Sequence, residues 1–93
     1  MLHETTPFYT IGQVAEILGV QPAALRRLDE QEIVSPERSE GGQRRYSQRE
    51  VEQLRQIVQL TEEGVTLPGV KKVMELQRRV DELEEEVAEL RSE

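Results

Sequence analysis

The C-terminal part of the chain carries a strict alternation of apolar residues at spacings of three and four. The residues of this alternation, which we term the seam, are Val73, Leu76, Val80, Leu83, Val87 and Leu90. These spacings match a heptad repeat with valine at position a and leucine at position d, a combination that favours two-stranded coiled coils. The seam therefore predicts a long terminal helix that requires an apolar partner.

Two partners are available for the seam: the chain's own domain or a second copy of the chain. Docking on the chain's own domain suits Val70, Val73 and Met74, which lie at the start of the helix. From Val80 onward the flanking positions are almost entirely charged, as expected for a solvated helix that pairs along one narrow stripe. We therefore expect residues 76–93 to form a coiled coil that joins two copies of the chain.

Charge pairing along this coil leaves the strand direction open. In a parallel pair, Arg79 meets Glu84 of the second copy and Glu86 meets Arg91. In an antiparallel pair, Arg79 meets Glu86 twice. Both arrangements join opposite charges across the seam, so the flanking residues do not discriminate between them.

The N-terminal half predicts two short helices separated by a tight turn. Thr10 and Gln13 have the form of a capping box, and the apolar period that follows ends at Gly19. Pro22 suits the first turn of a second helix, because its missing N–H costs nothing there. The stretch GVQP between the helices completes a helix-turn-helix.

The middle of the chain predicts a hairpin followed by a third helix. Turn-forming serine, proline and glycine residues separate two short polar runs, which we interpret as hairpin arms over residues 33–38 and 43–46. Ser47 and Glu50 repeat the capping-box form ahead of a helix that stops at Gly64. Thr66 is then placed to cap the terminal helix. The predicted fold class is mainly α, with a small β-hairpin.

The distribution of charge is uneven. With 19 acidic and 12 basic residues the net charge is −7, which argues against indiscriminate binding to nucleic acid. Between Arg38 and Arg49, however, four arginines accompany one acid, Glu40, so this stretch carries +3. Standing alone, it could be an ordinary solvated hairpin. Beside a helix-turn-helix, it lies where a wing would touch phosphate.

The sequence offers little support for an enzyme, a metal site or a cofactor. It has no cysteine, and its single histidine, His3, lies in a polar segment, residues 1–7, that we expect to be a flexible tail. No nucleotide-binding loop, serine elbow or zinc motif is present. No apolar run is long enough to span a bilayer, and the start MLHETTPFYT does not have the pattern of a signal peptide. We expect a soluble cytoplasmic protein.

Taken in order, these elements resemble the MerR family of bacterial transcription regulators. The matching stretches are YTIGQVAEILGV, LRRLDE followed by IVSPERSEGGQRRYS, and EEGVTLPGVKKVMEL. The segment VSPERSEGGQRRYS is most similar to the heat-shock repressor and glutamine-regulator-like branches. The resemblance implies a winged helix-turn-helix over residues 8–75, with its second helix in the major groove of double-stranded DNA and the hairpin as a wing along the backbone. It also implies a twofold homodimer held by an antiparallel coil over 76–93.

The resemblance also assigns residues. Arg26 matches the family's helix-two arginine, Arg44 its wing arginine and Tyr46 its wing tyrosine, which either bonds phosphate or packs under the wing. The full set that we expect at DNA is Gln21, Ala23, Ala24, Arg26, Arg27, Arg38, Arg44, Arg45 and Tyr46. Arginine can bind guanine or clamp phosphate, so the targets of Arg26 and Arg27 stay open. Lys71 and Lys72 could reach the backbone or form a solvated helix face.

Three positions depart from the family pattern. Leu28 stands where members commonly have tyrosine, which removes one expected hydrogen bond to phosphate. Arg27 replaces another frequent aromatic residue and could compensate with its charge. Glu32 occupies the usual glycine position before the wing, although glutamate enters left-handed backbone conformations reluctantly.

These observations favour a non-enzymatic, dimeric, sequence-specific regulator, expected to repress by binding a pseudo-palindromic operator at the bacterial nucleoid. Metal-sensing members use cysteines near the coil and drug-sensing members carry a large C-terminal domain, and neither feature occurs here. We therefore expect no small-molecule effector domain and a signal that arrives through a protein co-regulator or through abundance. Two alternatives remain: an architectural, excisionase-like factor, and a protein-binding adaptor that acts through the acidic coil.

Overall fold

The structure is a computed structural model that describes residues 3–92, and in that range it contains four helices and a three-stranded sheet. The elements in chain order are β1 (Tyr9–Thr10), α1 (Ile11–Leu18), α2 (Pro22–Glu30), β2 (Glu37–Arg38), β3 (Arg44–Tyr46), α3 (Gln48–Glu62) and α4 (Leu67–Arg91). The predicted fold class is confirmed, because a mainly α winged helix-turn-helix precedes one long terminal helix.

The helix boundaries follow the local capping signals. Thr10 Oγ1 accepts a hydrogen bond from the N–H of Gln13 at 3.1 Å, and Gln13 Oε1 accepts from the N–H of Thr10 at 2.9 Å. Ser47 and Glu50 form the same reciprocal pair at the start of α3. Gly19 ends α1 with a φ of 68°, a conformation that glycine adopts without steric cost. Both predicted capping boxes are thus confirmed.

One expectation about element ends holds only in part, and a second is wrong. Thr66 occupies the cap position of α4, but its hydroxyl makes no capping hydrogen bond. The first hairpin arm is shorter than residues 33–38, because only Glu37–Arg38 forms a strand. Instead, the N–H of Ile33 donates to the carbonyl of Leu28 at 2.9 Å, and Val34 is buried in the core. Residues 33–36 therefore fasten the wing to the end of α2.

The sheet has the order β1-β3-β2, with both pairs antiparallel. The strand β1 was not predicted. It places Tyr9 opposite Tyr46 and Thr10 opposite Arg45, so the residues that begin the helix-turn-helix also brace the wing. The N–H of Phe8 extends this pairing by donating to the carbonyl of Tyr46 at 3.0 Å.

One apolar core connects every helix to the wing. Its buried residues are Val14, Ala15, Leu25, Leu28, Val34, Tyr46, Val51, Leu54, Ile57 and Val70. These residues come from all four helices, from β3 and from the loop before β2, so the orientation of the wing relative to α2 is fixed by packing.

Glu32 adopts the left-handed conformation expected of the glycine that it replaces. Its φ is 57°, the one positive φ of a non-glycine residue in the described range. The N–H of Glu32 donates to the carbonyl of Asp29 at 2.9 Å, which closes the turn after α2. The turn shape is therefore kept, at a steric cost that glycine would not incur.

Residues before the sheet contact the start of α3. The carbonyl of Glu4 accepts from the N–H of Arg49 at 2.9 Å, and the side chains of the same two residues form an ion pair at 2.7 Å. The N–H of Thr6 donates to the carbonyl of His3, so residues 3–6 make a turn. This segment lies within the range that the sequence assigned to a tail.

Candidate nucleic-acid interface

Helix α2 buries one face and presents the other to solvent. Leu25 and Leu28 are buried, and the predicted contact residues of this helix and its cap are all exposed: Gln21, Ala23, Ala24, Arg26 and Arg27. At 3.6 residues per turn, the two side chains between Leu25 and Leu28 in the sequence point away from the core. Among the described residues, neither Arg26 nor Arg27 has an acidic side chain within ion-pair distance. This face can therefore approach a polyanion with its positive charge available.

The wing is a tight hairpin with a glycine turn. The N–H of Ser39 donates to the carbonyl of Gln43 at 2.7 Å, and the N–H of Gly42 donates to the carbonyl of Ser39 at 2.9 Å. Gly42 has a φ of 80°, which a side chain would disfavour. The tip is therefore narrow and built largely from backbone, which allows close approach to a surface.

An ion-pair cluster joins the wing to α2. The Nε of Arg44 donates to Asp29 Oδ2 at 2.8 Å, and Arg38 Nη2 donates to the same oxygen at 3.1 Å. The side chains of Asp29 and Arg44 are only 15% and 17% exposed. Arg38 also donates through Nη1 to the carbonyl of Gly42 at 3.2 Å. We call Asp29, Arg38 and Arg44 the clamp.

Arg44 and Arg45 face opposite sides of β3. Side chains alternate along a strand, so Arg44 and Tyr46 point toward the core and α2 while Arg45 points outward. Arg45 lies across from Glu37 on β2 and from Thr10 on β1. It is half-buried, and its Nη1 makes a long hydrogen bond of 3.5 Å to the carbonyl of Arg44.

The positive charge of the wing is partly neutralised by acids outside the segment from Arg38 to Arg49. Arg38 and Arg44 share Asp29, and Arg49 pairs with Glu4. Among these four arginines, Arg45 alone has no acidic partner in the described part of the chain. The net of +3 counted along the sequence therefore overstates the charge that is free at this surface.

Tyr46 lies in the core, as the packing alternative predicted. Its side chain has no exposed surface, and its hydroxyl has no hydrogen-bond partner among the described residues. Burial raises the pKa of the Tyr46 phenol; the Arg44 guanidinium lowers it and the carboxylates of Asp29 and Glu50 raise it. A hydroxyl in this position cannot reach a phosphate, so direct contact with DNA is not available to Tyr46 in this structure.

Sequence reasoning missed Asp29, the residue that holds the clamp together. Its helix position is one after the buried Leu28, at the end of the helix that faces the wing. An acidic residue beside a core position, followed by two arginines on a predicted hairpin, is the sequence signal that could have indicated this ion-pair cluster. It also missed the hydrogen bond from the Tyr9 hydroxyl to Gln48 Oε1 at 2.9 Å, which ties β1 to α3.

Helix α4 separates into a docked start and an exposed remainder that carries most of the seam. Val70 is buried and Met74 packs against the core, as the docking interpretation of the helix start predicted. Val73 is half-buried. From Leu76 onward the seam residues are exposed, from 42% at Leu83 to 72% at Leu90. The exposed part forms one apolar stripe on an otherwise charged helix.

The two lysines at the start of α4 are both exposed. Lys72 Nζ lies 3.3 Å from Glu75 Oε2, one turn further along the helix. Their placement suits a solvated helix face. In residues 3–92 no cluster of His, Cys, Asp or Glu could hold a metal ion, and no described helix is long and apolar enough to cross a bilayer.

Comparison with known proteins identifies the domain. The family described as MerR HTH family regulatory protein matches residues 9–77. The chain belongs to the MerR family. The matched range begins with β1 and ends inside α4, so it includes the helix-turn-helix, the wing and the docked part of the terminal helix.

Among relatives of this MerR-family chain is the heat shock protein HspR of Streptomyces coelicolor. The two sequences are 46% identical over 90 residues, which cover 96% of this chain and 60% of the relative. The chain thus spans less than two thirds of the length of HspR. The predicted similarity to the heat-shock repressor branch is confirmed.

Solved structures of MerR regulators share the fold. The N-terminus of MtaN, the multidrug transporter activator of Bacillus subtilis, superposes with a TM-score of 0.65 at 27% identity, over 88% of this chain and 96% of that one. HiNmlR, a MerR family regulator lacking the sensor domain, was solved bound to promoter DNA. It superposes with a TM-score of 0.67 at 22% identity, over 89% of this chain and 75% of that one.

Proposed function

We propose that this chain is a non-enzymatic transcription regulator that binds double-stranded DNA as a homodimer and represses by occupying its operator. The observation that carries the proposal is that ion pairs hold the wing next to the exposed, positively charged face of α2. The exposed face of α2 carries Arg26 and Arg27 without acidic partners in the described range, and the clamp holds the wing beside it. HiNmlR, which shares the fold, was solved on promoter DNA.

Each predicted contact residue has a distinct proposed role. Gln21, Ala23 and Ala24 lie at the start of α2, where side chains of recognition helices reach base edges in the major groove. An alanine methyl can contact a thymine methyl. We assign Arg26 to phosphate and leave Arg27 to either a base or a phosphate. Tyr46 has an indirect role, because it supports β3 from below.

The wing arginines are proposed to contact the sugar–phosphate backbone. Arg45 extends outward from β3, and Arg38 is half-exposed although it belongs to the clamp. Such contacts release counterions and supply affinity without reading sequence. Sequence preference would come from α2 and from deformation of the DNA between the two half-sites.

The exposed seam is the proposed dimer interface. Burying one large apolar side chain yields roughly 1.5 to 3 kcal/mol, so the five exposed seam residues from Leu76 to Leu90 yield at most about 8 to 15 kcal/mol per chain before entropy is subtracted. The net association energy is therefore modest. The covalent continuity of α4 with the docked residues Val70 and Met74 supports a coil this short, because the first turns of the helix are already formed.

Segment charges favour antiparallel strands. Residues 71–79 carry four basic side chains and one acid, a net of +3, whereas residues 81–93 carry seven acids and one arginine, a net of −6. A parallel pair would set the two acidic segments side by side. An antiparallel pair sets each acidic segment against the basic start of the partner's helix, which reduces repulsion. The pairing of individual flanking residues, by contrast, is compatible with both directions.

The proposal is tested by selecting duplexes from a random library with the full chain and mapping the bound site. We expect an enriched pseudo-palindrome and a footprint that is symmetric about its centre. A direct repeat with cooperative spreading would instead support the architectural alternative. No enrichment at low salt would contradict DNA recognition.

The adaptor alternative has one specific observation in its favour. The acidic, exposed part of α4 could bind a helix of another protein instead of a second copy. Light scattering at micromolar concentration separates the two cases. A dimer of the pure chain supports the homodimeric regulator, whereas a monomer that dimerises only with a basic, apolar helix supports the adaptor. A protein co-regulator that binds the dimer is compatible with the first outcome.

A further inference from the structure

Asp29 places a negative charge inside the surface that is proposed to bind a polyanion. It lies in the last turn of α2, and its carboxylate is largely buried between the helix and the wing. Taken alone, such a charge repels phosphate and weakens binding. An acid at this position must therefore favour binding in some other way, and the contacts of Asp29 with Arg44 and Arg38 indicate how.

The contacts of Asp29 leave the two terminal nitrogens of Arg44 free. Asp29 Oδ2 accepts from Nε of Arg44, the nitrogen nearest the chain. Within residues 3–92, no hydrogen bond occupies the two terminal nitrogens of Arg44. Guanidinium has five N–H donors in a planar fork, so an arginine held at Nε can still offer its Nη nitrogens to a second anion.

The same oxygen also steadies the wing tip. Arg38 donates through Nη2 to Asp29 Oδ2 and through Nη1 to the carbonyl of Gly42, so its side chain links α2 to the glycine turn. The wing is thus connected to α2 through polar contacts in addition to the core. A long side chain that is fixed before binding loses less conformational entropy when it meets its ligand.

We propose that Asp29 is a positioning residue for DNA binding: it holds Arg44 by Nε, so that the Nη nitrogens face a phosphate, and it fixes the wing relative to α2 through Arg38. This inference rests on the proposed function. It goes beyond that proposal by making an acid, which cannot itself bind phosphate, necessary for tight binding.

The inference predicts a change in DNA affinity in the opposite direction from the change that net charge alone would cause. Replacing Asp29 with asparagine removes a negative charge near the duplex, which by itself should tighten binding. If Asp29 positions Arg44, Asp29→Asn instead weakens binding by roughly tenfold, about the loss of one charge-assisted contact. Glu30→Gln is the matched control, since Glu30 is adjacent on α2 and exposed. We expect it to leave binding unchanged or to tighten it.

A second variant separates positioning from a purely structural ion pair. Arg44→Lys keeps the charge and can still pair with Asp29, but it has no second nitrogen to offer a phosphate. We expect Arg44→Lys to retain the thermal stability of the wild type within a few degrees, to bind DNA less tightly, and to show a shallower salt dependence by about one phosphate contact. Wild-type affinity in Arg44→Lys would overturn the inference even if Asp29→Asn failed to fold.

The experiment measures duplex affinity by fluorescence anisotropy against the selected operator, at several salt concentrations, for the full chain and for each variant. A double variant, Asp29→Asn with Arg44→Ala, tests whether Asp29 acts through Arg44. If it does, Asp29→Asn should weaken DNA binding much less when Arg44 is absent. If the wild type binds and Asp29→Asn behaves like Glu30→Gln, the inference fails while the proposed function stands. If the wild type binds no duplex, the proposed function fails and this inference fails with it.

Discussion

Arg44 and Arg45 are adjacent in the sequence, yet their side chains occupy opposite faces of β3. Arg44 points toward α2 and pairs with Asp29 at 2.8 Å, whereas Arg45 points outward with no acidic partner in the described range. Two neighbouring arginines with the same proposed ligand therefore differ in their importance for folding. This difference can be measured.

We expect Arg45→Ala to weaken DNA binding without changing stability, and Arg44→Ala to reduce both. Removing Arg44 leaves the largely buried Asp29 carboxylate with only Arg38 as its partner, which should lower the free energy of unfolding by about 1 to 3 kcal/mol. Urea unfolding followed by circular dichroism measures this difference. Equal stability of the two variants would show that the ion pair with Asp29 contributes nothing to the fold.

The buried hydroxyl of Tyr46 should be dispensable for DNA binding. Tyr46→Phe removes an unpaired polar group from the core, so we expect unchanged stability or a gain of up to about 1 kcal/mol, with operator affinity unaffected. Operator affinity and thermal unfolding are measured on the same preparation. A folded Tyr46→Phe variant that loses affinity would show that the hydroxyl does contact DNA.

Tyr46 should also make the chain sensitive to alkali. Burial raises the pKa of its phenol above the ordinary value of about 10, so the folded chain keeps a proton that the unfolded chain releases as pH rises through this range. Unfolding is then favoured, and stability falls between the unfolded and folded pKa values. We expect this part of the alkaline loss to be absent in Tyr46→Phe. Identical pH profiles for the two proteins would contradict the raised pKa.

Glu32 should be a site where glycine stabilises the fold. Its φ of 57° is unfavourable for a residue with a side chain, so Glu32→Gly should increase the free energy of unfolding by up to about 1 kcal/mol. Glu16→Gly serves as the control, because Glu16 lies inside α1, where glycine costs about 1 kcal/mol. Destabilisation of similar size in both variants would rule out the left-handed conformation at Glu32.

The direction of the coil can be read from label distances. Asp81→Cys and Glu89→Cys each introduce a single cysteine outside the seam, in a chain that has none. In the antiparallel register that pairs Arg79 with Glu86, the two helices cross between Glu82 and Leu83, so spin labels on the two copies should be about 15 Å further apart along the helix axis at Glu89 than at Asp81. Parallel strands would give the same separation at both positions.

Local signals in the sequence were sufficient to predict most of the helical structure. Capping boxes at Thr10 and Ser47 and the glycine at position 19 act over three or four residues, so they can be recognised without tertiary information. The strand β1 could not be recognised in this way, because two residues form a strand only when they pair with Tyr46 and Arg45 far along the chain. The residues next to β1 in the sequence do not indicate that pairing.

The exposure of the α2 residues at the candidate interface was predictable from the sequence, whereas the ion pairs of the wing were not. The exposed residues of α2 follow from helical periodicity once Leu25 and Leu28 are assigned to the core. Counting charges between Arg38 and Arg49 did not reveal that Asp29 and Glu4 fold back onto three of the four arginines. Net charge along a segment estimates the field at a surface only when the partners of each side chain are known.

The most direct test of the account is the salt dependence of operator binding by the wild type and by a triple variant, Arg26→Ala, Arg44→Ala and Arg45→Ala. If these arginines bind phosphate, the logarithm of the association constant should fall with the logarithm of salt concentration about 0.9 less steeply for each contact removed, so by roughly 2 to 3 in the triple variant. Its affinity should fall by orders of magnitude while circular dichroism shows a folded chain. A folded triple variant with the affinity and salt slope of the wild type would contradict the proposed function.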